Sequence, residues 1–89
     1  MNIVFSKHAQ GQMIRRGINH DVALMVVSQP EQVIIDDEDP AMVIYQSLIE
    51  EHEQMFLLRV FVNREKQPNV IVTLYKTTKI LKYHEGKVR

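Results

Sequence analysis

Side chains in this sequence that could hold a phosphate and move a proton beside it include His8, Arg16, Arg59, Thr73 and Tyr75, a set sufficient for that chemistry but not diagnostic of it. An imidazole titrates near neutrality and can serve as general base or general acid. Guanidinium groups bind phosphate oxygens bidentately and stabilise charge that develops on them. Thr73 and Tyr75 are two residues apart, so on a strand they share a face and could orient a phosphate or a base. Lys7, Arg15, Lys76 and Lys79 add cations in the same segments and are the candidate substrate contacts.

Each of these residues also has an ordinary structural reading. His8 is the second residue of an expected helix and could bond locally. Arg59 alternates with Met55, Leu57 and Phe61, so it could snorkel to an edge or pair with one of the many acids. Thr73 has β-propensity, and Arg15-Arg16 would favour a helix C-terminus through the dipole. Lys76, Lys79, Lys82 and Lys87 could guard a strand edge against pairing. A metal site is not expected: there is no cysteine, and His8, His20, His52 and His84 are scattered singly, without an i, i+4 pair. Gly11, Gly17 and Gly86 are too far apart to cradle a phosphate, and no cofactor is implied.

The elements that must position these groups follow from periodicity. Asn2 to Phe5 reads as a short strand. Ser6 caps a helix running from Lys7 to Arg16, ended by Gly17, with Phe5, Ala9 and Met13 as its apolar stripe. Asn19 caps a second helix in which Val22, Met25 and Val26 recur until Pro30 stops it. The period then becomes extended: Val33 to Asp36, Met42 to Ile49, Met55 to Asn63 and Val70 to Thr78 are strands joined by short polar connections, which implies an antiparallel meander. Val70 to Lys76 is apolar on both alternating faces, with Val70, Val72 and Leu74 on one and Ile71 and Tyr75 on the other, as expected of a covered inner strand. Lys79 to Arg89 either extends that strand or forms a short edge strand.

The expected fold is therefore α+β, with two N-terminal helices on a four- to five-stranded antiparallel sheet. Its 89 residues suffice for one domain, 1–89, and leave little core to divide. Apolar residues at 45% and charged residues at 25% argue against disorder. Runs such as Val33-Ile34-Ile35 and Phe56-Leu57-Leu58 suggest that the second sheet face is also apolar, which predicts homo-oligomers. The first residues lack signal-peptide character, and no apolar run approaches the roughly 20 residues of a membrane span, so a cytoplasmic location without membrane association is expected. Net charge is zero but segregated: −8 over residues 31–54, +2 before them and +6 after them. Such segregation can give one basic and one acidic face.

The run from His8 to Ile18, with Asp21-Val22 and Gln29-Pro30-Glu31, resembles the opening of a bacterial family known as domain of unknown function 4258. Leu58-Arg59-Val60 and Ile71-Val72-Thr73-Leu74-Tyr75 continue the likeness over nearly the whole chain. The resemblance implies a RelE-like or barnase-like toxin fold, a metal-independent ribonuclease activity, RNA as substrate and a cognate antitoxin as partner. It also implies catalytic positions at His8, Arg16, Arg59, Thr73 and Tyr75. Gln12 departs from the pattern, standing where the family carries a basic residue. Two functions are thus expected to compete: an RNA-cleaving or RNA-binding domain, and a non-catalytic interaction module on the same fold. Zero net charge favours the second.

Overall fold

The computed structural model describes residues 2–84. Its elements are β1 (Ile3–Phe5), α1 (Lys7–Arg16), α2 (His20–Ser28), β2 (Gln32–Ile35), β3 (Met42–Glu51), β4 (Gln54–Asn63), β5 (Asn69–Thr77) and α3 (Ile80–Tyr83). The class is α+β, with three helices and one five-stranded sheet in the order β1-β5-β4-β3-β2. No helix among the described residues is long and apolar enough to cross a membrane.

The sheet is mixed, which corrects the expectation of a purely antiparallel one. Strands β2 to β5 form the antiparallel meander, but β1 lies parallel to β5, with Ile3, Val4 and Phe5 opposite Asn69, Val70 and Ile71. The chain leaves β1, covers one face with α1 and α2, and re-enters at the opposite edge. The meander then returns to β1, so the first and last strands meet.

Ser6 fixes that arrangement. Its Oγ accepts from Ala9 N–H at 3.0 Å, capping α1, and donates to the Val72 carbonyl at 3.0 Å, while its own N–H bonds the Ile71 carbonyl. Gly17 ends α1 in the left-handed region at φ 65°, and the Ile18 amide reaches back to the Met13 carbonyl. Asn19 Oδ1 caps α2 through the amides of Asp21 and Val22. Ala9 and Ala23, both fully buried, let the helices approach the sheet closely.

The core under the helices comprises Val26, Val27, Val43, Tyr45, Leu58, Val60, Val62, Ile71 and Leu74 with those alanines and Ile18. Ile71 lies on the helix side together with Leu74, contrary to strict alternation. Phe61 pairs with Thr73 and Val62 with Ile71, so Val72 is an extra residue. This bulge turns Ile71 to the opposite face from the one its spacing predicts.

The far face is also closed in part. Ile44, Gln46 and Leu57 are buried there, and Ile80–Tyr83 form α3, whose Tyr83 contacts Gln46 and Arg59, rather than extending β5 or forming an edge strand. Residues 85–89, including Gly86 and Lys87, lie outside the described residues. Part of the apolar second face is thus covered by the chain itself.

The β3–β4 hairpin turns through His52 (φ 53°) and Glu53 (φ 66°), two exposed side chains in a conformation that favours Asn-Gly. A left-handed conformation costs a residue with a Cβ about 1–2 kcal/mol. The double change His52→Asn, Glu53→Gly is therefore expected to stabilise the fold by about 1–2 kcal/mol, read as a higher urea midpoint with an unchanged m-value.

Candidate anion-binding site

Three residues of neighbouring strands converge on the face that α1 and α2 leave open. Register places Gln46 opposite Arg59, and Arg59 opposite Tyr75, at the centre of the sheet. Directly paired residues share a face, so all three side chains project away from the helical layer. Thr73, opposite Phe61, points the same way.

Arg59 is 9% exposed and Gln46 fully buried. Arg59 Nε donates to Gln46 Oε1 at 2.8 Å, and Nη1 donates to Tyr75 Oη at 2.7 Å. Gln46 Nε2 in turn donates to Gln32 Oε1 at 2.7 Å and to the Tyr83 carbonyl at 3.0 Å, tying α3 to the sheet. Around the guanidinium stand three rings, with Cζ 4.4 Å from the Tyr83 centroid, 5.4 Å from Phe61 and 5.8 Å from Tyr75. Aromatic faces attract a cation without neutralising it.

The charge balance of this cluster is the informative part. Desolvating an ion costs several kcal/mol, and buried cations are ordinarily matched by carboxylates. Arg59 has only neutral acceptors, and no carboxylate pairs with it among the described residues. Nη2 bonds nothing among the described residues and is not fully buried. The result is a rigid, oriented positive charge open at one edge, suited to accept an anion.

Tyr83 Oη belongs to the same electrostatic field. Hydrogen bonding from Lys82 holds its phenol below the ordinary tyrosine range, against an opposing effect of desolvation. Tyr75 and the charges of Lys82 and Arg59 act in the same direction as the Lys82 bond.

The structure brings together Arg59, Thr73 and Tyr75 and separates them from the other candidates. His8, Lys7, Arg15 and Arg16 are exposed on α1, on the opposite side of the sheet. The expected shared cleft of His8 with Arg59 and Thr73 therefore does not form. Arg15 bonds Gln12 Oε1 at 3.0 Å. Lys76 pairs with Leu58 and so lies on the helix side, where its Nζ contacts Glu51 Oε1 at 2.5 Å and the Gly17 carbonyl at 3.4 Å. It is an ion-paired tie between a strand and a helix end. Lys79 is exposed beside α3, its amide bonded to Thr77 Oγ1.

Gln46, Phe61 and Tyr83 were not among the sequence candidates. Gln46 carried a usable signal: an amide in the middle of Val43-Ile44-Tyr45-Gln46-Ser47-Leu48-Ile49 must find partners once buried. Tyr83 carried none, since it lies in the stretch whose conformation the pattern left open.

The family model described as domain of unknown function (DUF4258) matches residues 5–76, which include Gln46, Arg59, Thr73 and Tyr75 and leave out α3. No curated protein and no solved structure matches the chain.

Proposed function

The chain belongs to the domain of unknown function 4258 family, and we propose that it binds single-stranded RNA on the helix-free face of its sheet and cleaves it without a metal. The RelE-like toxin arrangement that its motifs resemble is part of this proposal. The observation that carries it is Arg59, a nearly buried cation whose acceptors among the described residues are all neutral.

A phosphate diester supplies the missing anion at the open Nη2 edge. Tyr75 and Tyr83, 6.2 Å apart and nearly edge-on, offer rings on which an unstacked base can lie. Thr73 on the same face and the exposed Lys79 and Lys82 extend the polar and basic surface beyond the central arginine. In this site proton transfer from the 2′-hydroxyl and to the leaving oxygen falls to the phenols, above all Tyr83, and not to His8. Duplex RNA, whose bases remain stacked, is the poorer ligand.

The test is incubation of single-stranded RNA with the protein in chelator, following both binding and products. His8→Ala is expected to bind and cleave within about twofold of the parent, because its side chain lies beyond the sheet; Tyr83→Phe is expected to bind but to lose cleavage by about 100-fold. Loss of cleavage in a folded His8→Ala variant would return the chemistry to α1 and overturn the proposed site.

A further inference from the structure

We propose that β2 is a docking edge for an extended, basic segment of another protein, which adds to the sheet as a further strand. The proposal is independent of the RNA reading.

Among the described strands β2 is terminal in the sheet and pairs with β3. The Asp36 amide bonds the Met42 carbonyl at 3.1 Å, so by alternation Ile34 and Gln32 also turn their backbones towards β3. Val33 and Ile35 therefore present N–H and C=O groups outward. The same two residues are 51% and 62% exposed. Their pairing partners Tyr45 and Val43 belong to the core beneath the helices, so Val33 and Ile35 extend that apolar layer past the point where the helices end. Soluble proteins guard such edges with lysines, prolines or bulges. Gln32-Val33-Ile34-Ile35 has none of these.

Charge decides which occupant fits. Glu31 precedes the strand and Asp36-Asp37-Glu38-Asp39 follow it, and neither lysine nor arginine occurs between Arg16 and Arg59. A second copy pairing edge to edge would place the acids of one strand against those of the other, and like charges across a pair are destabilising. A segment with alternate apolar residues, flanked by lysine or arginine, meets both the backbone groups and the charge.

The experiment titrates isotope-labelled protein with a short peptide alternating valine and lysine, N-methylated along one edge so that it cannot pair with itself. A control peptide carries glutamate in place of lysine. The lysine peptide is expected to slow hydrogen exchange at the Val33 and Ile35 amides at least about tenfold and to bind at least about tenfold more tightly than the control. The triple variant Asp36→Asn, Asp37→Asn, Asp39→Asn should narrow that difference. Equal binding of both peptides, or no binding of either at millimolar concentration, overturns the proposal. So does protection of Val33 and Ile35 that grows with protein concentration alone, since a second copy would then be the occupant. RNA should leave these two amides unmoved, so the two proposals fail separately.

Discussion

Replacing Arg59 with methionine is expected to lower the affinity for single-stranded RNA by about 10- to 100-fold while leaving the domain folded. Hydrogen bonds to charged groups contribute about 1.5–3 kcal/mol each, which sets that range. Methionine fills much of the volume of the arginine stem, and removing a desolvated charge is itself favourable. Against this, Gln46 Oε1 loses its donor at a fully buried position, at a cost of about 1–3 kcal/mol. The two effects oppose, so stability should move by less than about 2 kcal/mol in either direction. A calorimetric scan checks the fold, and fluorescence anisotropy across salt concentrations checks the binding. The slope of log affinity against log salt should also fall in magnitude by about 0.7, as expected when one phosphate contact to a single strand is lost.

Gln46→Leu should show the opposite pattern, with large destabilisation. It removes the acceptor of Arg59 Nε and the donor to Gln32 Oε1 and the Tyr83 carbonyl. A buried cation left without its acceptor, together with two further lost bonds, costs about 2–4 kcal/mol. Denaturant unfolding measures this directly. Tyr83 should gain mobility, because α3 has only four residues and the Gln46 bond ties its last carbonyl to the sheet. Gln46→Glu adds a charge at the same position and also loses the two bonds that the amide nitrogen donates to Gln32 Oε1 and the Tyr83 carbonyl. A carboxylate there still accepts from Nε but neutralises Arg59, so RNA affinity should fall about as far as in Arg59→Met even though the arginine remains.

Most of the elements were legible in the sequence because their signals are local. Ser6 and Asn19 mark the helix starts, Gly17 and Pro30 their ends, and the polar turns delimit β2 to β5 within a residue or two. Alternation also placed Arg59 on one face with Leu57 and Phe61. What it could not reveal was which face the helices cover, since Leu58, Val60 and Val62 make the other face of β4 equally apolar. That ambiguity is why His8 and Arg59 were expected to meet. The β1–β5 pairing joins residues 3–5 to residues 69–71, a contact that no local pattern encodes. The bulge at Val72 is likewise invisible to a period-two reading, and it decides the side on which Ile71 lies.

Zero net charge is compatible with the proposed binding of a polyanion. The acids of residues 31–54 gather about β2 and its turn and at the β3–β4 hairpin, while Arg59 acts from a partly desolvated position where a single charge is worth more than on the surface. Local field, rather than the total, is what a phosphate meets.

Amide chemical-shift mapping during titration with a single-stranded oligonucleotide tests whether RNA binds the helix-free face. The largest shifts are expected at Gln46, Arg59, Thr73, Tyr75 and Tyr83, with α1 unmoved. Shifts centred on Lys7, His8, Arg15 and Arg16 instead, or no shifts at low salt, would contradict binding on that face.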